Sequence, residues 1–254
     1  MTIEVLVDIS DSIQTITINR PEAKNAVTLA VARGIAAALD ELESRDDLRI
    51  GILTGAGSTF CAGMDLKGFL RGERPIIEGR GFCGLTAKPP RKPLIAAVEG
   101  YALAGGLELM LACDLAVAAD NAQFGLPEVK RGIAATAGGL VRLPRQLPYR
   151  IALELALTGE MLSAARAYQY GLINRLTKPG ESLAEARRLA ETIAANGPLS
   201  VAASKRVVVE SQDWPTSEMW ERQAALTEHL FTSADAREGS AAFAEKRKPV
   251  WQGK

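Results

Sequence analysis

The stretch YALAGGLELMLACDL (residues 101–115) holds one carboxylate, Glu108, inside a run that is otherwise almost wholly small or apolar, with Gly105 and Gly106 just before it. PLIAAVEG (93–100) and LAVAAD (115–120) flank it and read as buried strands, with GGLELMLACD as the helix between them. Strand, helix and strand in succession identify an α/β body. A carboxylate buried without partners costs several kcal/mol unless its pKa rises or it finds donors. On pattern alone two readings of Glu108 are level: a structural acid that pairs with an arginine or faces solvent, and an acid/base group in a perturbing environment.

Outward from this stretch the same texture continues. Ile3 to Ile9 and Ile13 to Ile18 are short β-rich runs parted by Ser10, Asp11 and Ser12, the pattern of a hairpin. A helix is predicted from about Thr28 to Glu43, with Leu29, Ala32, Ile35, Ala36, Leu39 and Leu42 on one face. IGILTG (50–55) is a short buried strand entering a glycine-rich turn. Residues 67–92 scatter Lys67, Arg71, Arg74, Arg80, Lys88, Arg91 and Lys92 among glycines and prolines, as a surface loop would. From Leu183 the strand signals fade into successive amphipathic helices. The boundary is placed at Pro179-Gly180, dividing an α/β body (1–180) from a helical module (181–254).

Bulk properties narrow the function. The 254 residues are 47% hydrophobic, and thirty basic residues cancel thirty acidic ones, which argues against a general nucleic-acid or anionic-membrane binder. Cys61, Cys83 and Cys113 form neither a disulfide framework nor a CxxC zinc pair. The N-terminus lacks the pattern of a signal peptide and no stretch is apolar enough to span a bilayer, so a reducing compartment, the cytoplasm, is expected. GAGSTF (55–60) has Phe60 where a dinucleotide fingerprint needs its third glycine, and no P-loop is present. The single histidine, His229, sits in the helical tail and is poorly suited to a Ser-His-Asp site or a zinc cluster.

The glycines before Glu108 tilt its reading toward chemistry. Gly105 and Gly106 stand at a helix start, where backbone N–H groups lack intrahelical partners and the dipole favours negative charge. A free N–H there, with an acid one turn on, outlines an oxyanion hole and its proton handler. FCAGMDL (60–66) offers a second donor, because Ala62-Gly63 permits close backbone approach. FGLPEVKRG (124–132) offers a second acid, Glu128, whose direction Pro127 helps to fix.

With these residues assembled, the chain resembles the enoyl-CoA hydratase/isomerase family, the crotonase group. The likeness runs through NRPEAKNAV (19–27), FCAGMDL (60–66), the segment 93–132, AGGLVRLPR (137–145), LTGEMLSAARAYQYGLINRL (157–176) and FAEKRKPVW (243–251). It implies an α/β, crotonase/ClpP-like spiral of ββα units with a C-terminal helical trimerisation module, commonly a trimer or a dimer of trimers. It implies an acyl-CoA substrate whose thioester oxygen is held by the N–H groups of Met64 and Gly105, with Glu108 and Glu128 as the two catalytic glutamates. It places coenzyme A along Ala23, Lys24, Ala62, Asp65 and Leu66, with Phe243 and Lys246 helping to cover the ligand and loop basic residues near the phosphates.

The activity implied is reversible hydration of a 2-enoyl-CoA to a 3-hydroxyacyl-CoA in fatty-acid or related acyl-CoA metabolism. No metal or redox cofactor is implied, since coenzyme A enters as part of the substrate. The alternatives are an enoyl-CoA isomerase, a carnitinyl-CoA-type dehydratase, or an acyl-CoA-binding protein without turnover. Three departures from the hydratase pattern stand out: Ala104 where glycine is usual, Met64 where a small residue is common, and IAATAGG (133–139) beside Glu128.

Overall fold

The computed structural model describes residues 3–254. The chain runs β1 (Val5–Ser10), β2 (Ile13–Ile18), α1 (Leu29–Ser44), β3 (Ile50–Gly55), α2 (Leu66–Leu70), β4 (Ile76–Ile77), β5 (Gly81–Phe82), β6 (Leu94–Val98), β7 (Tyr101–Leu103) and α3 (Gly105–Ala112). It continues through β8 (Leu115–Ala119), β9 (Gln123–Gly125), α4 (Gly139–Gln146), α5 (Tyr149–Thr158), β10 (Met161–Ser163), α6 (Ala164–Gln169) and β11 (Arg175–Thr177). The helices α7 (Ser182–Ala194), α8 (Pro198–Glu210), α9 (Met219–Thr227) and α10 (Ala234–Glu245) follow.

The strands β1-β2-β3-β6-β8-β11 form one six-stranded sheet, in which only the β1–β2 hairpin is antiparallel. Parallel strands buried on both faces need not alternate polar and apolar residues, which is why β3, β6 and β8 read as continuous apolar runs. Ile16, Ile18, Leu53, Ala96, Val98 and Ala118 face one core with α1 and α3. Ile13, Ile50, Ile52, Ile95, Ala97 and Val117 face the other, covered by Ala186 and Ala190 of α7. Helix α7 packs on the sheet and shares this core, and α8 to α10 follow it in the chain. Among the described residues no helix is long and apolar enough to cross a membrane.

A second, three-stranded sheet, β10-β9-β7, positions the site. Its strands have three residues each, too few for a period of two to register in the sequence. The parallel pairing of β7 with β9 sets Leu103 opposite Gly125, and the Ala104 N–H donates to the Gly125 carbonyl at 2.9 Å. The start of α3 and the segment after β9 therefore leave the same sheet edge side by side. A bridge between Cys61 and Ala102 brings the 60–64 loop to that edge, and one between Val27 and Met64 adds the segment around Lys24.

Candidate active site

Every residue of α3 is buried, Glu108 included at 4% exposure, so the helix has no polar face. Its close approach to the 60–64 loop depends on Gly106, where a β-carbon would lie 2.1 Å from the Cys61 carbonyl oxygen. Glu108 is not solvated at an edge. Its Oε1 accepts the Gly139 N–H at 2.9 Å, at the first residue of α4. Burial raises the Glu108 pKa, while the backbone donors at Gly139 and Ala137 and the Arg142 guanidinium pull it back down.

Glu128 lies in a 3-10 turn, Pro127–Arg131, opened by the proline and closed by Gly132 at φ 69°. It is 7% exposed, and its Oε2 has no hydrogen-bond partner among the described residues. Burial pushes its pKa up to about 7, and the neighbouring Glu108 charge adds to the rise. The two carboxylates thus experience different surroundings: Glu108 is held by the Gly139 N–H and the Arg142 charge, whereas at Glu128 burial outweighs the opposing pull of its own backbone N–H and of Arg131.

Both glutamates line a cavity of about 1010 Å³ together with Lys24, Ala62, Met64, Leu66, Ala104 and Gly105. The Val27 N–H donates to the Gly63 carbonyl and the Asp65 N–H to the Val27 carbonyl, so the two residues flanking Met64 take up the bridge. Gly105 is the first residue of its helix, where no intrahelical acceptor exists. Among the described residues neither the Met64 nor the Gly105 N–H donates to a protein acceptor. The loops carrying these donors meet where the Gly63 backbone packs against Ala104: a β-carbon on Gly63 would lie 2.8 Å from the Ala104 Cβ and 3.2 Å from the Gly105 nitrogen.

The other anticipated positions divide. Lys24, at φ 51°, lines the cavity with its ammonium 5.4 Å from the Tyr101 ring centroid, and its carbonyl accepts the Ala62 N–H. Ala23 belongs to the short 3-10 turn Pro21–Ala23 and does not line the cavity. Asp65 does not line it either: its carboxylate caps α2 through the Gly68 N–H and pairs with Arg20 at 3.1 Å. Phe243 and Lys246 also stand outside the cavity in the single chain. Phe243, 87% exposed, borders a separate hollow with Trp251.

Of the basic residues in 67–92, Arg74 lines the cavity and its guanidinium lies 4.3 Å from the Phe69 ring centroid. Arg80 and Arg91 are taken up by Asp40 and Glu43 of α1, and the Lys92 ammonium by the carbonyls of Leu42 and Arg45. Two residues that act on Glu108 are not singled out by the sequence reading. Arg142 lines the cavity, donates to the Thr86 carbonyl at 2.6 Å and acts on Glu108 through its charge. Gly139 supplies the donor to Glu108. Both lie in AGGLVRLPR, where only spatial proximity to Glu108 reveals their part.

The chain is 58% identical to an enoyl-CoA hydratase of Mycobacterium marinum whose crystal structure superposes with a TM-score of 0.98, covering 100% of both chains. It is 42% identical to a curated enoyl-CoA hydratase of Mycobacterium tuberculosis over 93% of this chain and 92% of that one. It is also 41% identical to a carnitinyl-CoA dehydratase of Salmonella enteritidis, covering 94% of each. The family model for enoyl-CoA hydratase/isomerase matches residues 8–254, and the chain belongs to that family.

Proposed function

We propose that this protein is an enoyl-CoA hydratase, adding water reversibly across the C2–C3 double bond of a 2-enoyl-CoA thioester. The observation that carries the reading is the pairing of two buried, unequally placed carboxylates, Glu108 and Glu128, with two unengaged N–H groups, Met64 and Gly105, on one cavity. Binding alone requires no pair of buried acids, and moving a double bond requires no second one to activate water. The hydratases and dehydratase among the relatives support the same reading.

In the scheme, Glu108 is the base. The Gly139 N–H and the Arg142 charge favour its ionised form, so it accepts a proton from the water whose oxygen attacks C3. The C2–C3 π electrons move toward the thioester, and the developing enolate oxygen is held by the N–H groups of Met64 and Gly105. Glu128, with a pKa of about 7, is substantially protonated near neutrality and delivers its proton to C2. Hydroxyl ends on C3 and hydrogen on C2. The proton left on Glu108 returns to Glu128 between turnovers, so the cycle balances with substrate and water alone. Run backwards, the same steps dehydrate a 3-hydroxyacyl-CoA.

Coenzyme A, as part of the substrate, would lie on the Lys24, Ala62 and Leu66 side of the cavity. A trimeric assembly in the cytoplasm completes the proposal, supported by Trp220, Phe231 and Phe243, which stand 78%, 83% and 87% exposed on the C-terminal segment of the single chain. The test follows loss of conjugated-thioester absorbance on adding the protein to crotonyl-CoA and longer 2-enoyl-CoAs. Turnover is expected, and Glu108→Gln and Glu128→Gln should each lose about 100- to 10,000-fold in kcat. Wild-type rates in both variants would refute the two-carboxylate scheme.

A further inference from the structure

Ala104 adopts φ 52° and ψ −129°, a backbone conformation that side-chain-bearing residues rarely take and glycine takes freely. It sits at the N-cap of α3, makes no side-chain cap, and immediately precedes Gly105. Ala104 lines the cavity, and its methyl group lies so near Gly63, the residue before Met64, that a β-carbon there would come within 2.8 Å of it. The only side-chain atom of Ala104 thus occupies the seam between the two loops whose N–H groups form the oxyanion hole.

Both sides of that seam are otherwise constrained. The Ala104 N–H is tied to Gly125 and the Gly63 carbonyl to Val27. Beneath them, Gly106 packs against Cys61 with no room for a β-carbon. What these contacts leave open is the gap between Gly63 and the Ala104–Gly105 corner, and the methyl group fills it. A glycine at position 104 would remove the strain and the filler together.

We infer that the Ala104 methyl is a spacer that fixes the separation and aim of the Met64 and Gly105 N–H groups, making Ala104 a positioning residue for the thioester carbonyl. Strained backbone held by its surroundings at a site of charge development is a means of preorganisation. The inference rests on the proposed hydratase site, but its central measurement needs no turnover.

The experiment compares wild type, Ala104→Gly and Ala104→Ser, the last keeping the β-carbon. Each is saturated with butyryl-CoA labelled with carbon-13 at the thioester carbonyl, and the infrared band of the bound carbonyl is recorded. Wild type and Ala104→Ser are expected to move the band to lower frequency by the same amount. Ala104→Gly should move it less and broaden it. Its kcat for crotonyl-CoA should fall about tenfold with KM within about twofold, a fraction of the about 100- to 1,000-fold that deleting one donor costs. Its melting temperature should rise, since the glycine relieves φ 52°.

A purely structural role would raise the melting temperature and leave band and kcat at wild-type values, and that result overturns the inference. No band displacement in wild type would overturn it too, because the hole itself would be misassigned. A wild type that displaces the band but hydrates no 2-enoyl-CoA would reject the hydratase reading. In that case the Ala104→Gly band decides the inference on its own.

Discussion

Replacing Glu128 by glutamine separates the cost of the proposed acid from its use. In the fold the Glu128 carboxyl moves from 4.5 to about 7, chiefly because burial penalises its charged form. Below about pH 4.5 both folded and unfolded chains hold the proton. Between the two values the unfolded chain releases it while the fold keeps it, so the folded state binds more protons and stability declines as pH rises. Above about pH 7 the fold must carry a buried carboxylate with an unpartnered oxygen, and the contribution is fully lost. At about 1.4 kcal/mol per pH unit, the displacement corresponds to about 3 kcal/mol.

Glutamine matches the shape of the acid and never ionises. Glu128→Gln is therefore expected to match wild type within about 1 kcal/mol at pH 5 and to exceed it by about 2–3 kcal/mol at pH 8.5. For a chain of this length that is a rise of about 5–10 °C in melting temperature. The assay is calorimetry or urea unfolding of both proteins from pH 5 to 8.5 at one protein concentration, because any assembly would make the midpoint concentration-dependent. The same variant should be nearly inactive. A stability difference that stayed flat across the range, or a less stable variant at pH 8.5, would refute the placement of Glu128 as a buried, proton-retaining acid.

Two other perturbations probe the neighbours. Arg142→Met removes a cation acting on Glu108, whose described surroundings otherwise comprise Glu128 and the donors at Gly139 and Ala137, with Arg131 facing Glu128 and Arg145 and Cys113 facing Arg142. The Glu108 pKa then rises, and the acid limb of kcat/KM against pH should move to higher pH, while Arg142→Lys should move it back toward wild type; an unchanged limb would count against the electrostatic role. Gly106→Ala drives a β-carbon to 2.1 Å from the Cys61 carbonyl, so it should cost about 3 kcal/mol or more, measured by urea denaturation, or prevent soluble expression.

The sheet was legible because its strands are buried on both faces and so read as apolar runs, and α1 because its apolar residues keep a helical period. Glu108 was legible as an anomaly, an acid where all else is core. Glu128 stands out through Pro127 and the 60–66 loop through Ala62-Gly63, while Met64 itself is singled out only by the family resemblance. What the sequence did not reveal depends on pairing across the chain. Arg80 and Arg91 look like a solvated or phosphate-seeking surface until α1 brings Asp40 and Glu43 to them. Asp65 adjoins the donor loop, yet Arg20 and the α2 N-terminus claim its carboxylate. Gly139 is an ordinary helix-start glycine until α4 packs beside α3.

The same long-range packing gives two chemically identical side chains different tasks. Glu108 and Glu128 have the same solution pKa and share one cavity. Helix α4 presents a backbone donor and a guanidinium to the first, while the proline-opened turn after β9 holds the second in apolar surroundings. Each charge also opposes the other, so ionisation of one makes ionisation of its neighbour harder. A single proton shared by the pair then resides on Glu128, where burial outweighs the pull of its own backbone N–H and of Arg131, and the vacancy resides on Glu108. That is the starting distribution hydration requires: an ionised base for water and a neutral acid for C2. Exchanging the environments, rather than the residues, would reverse the roles.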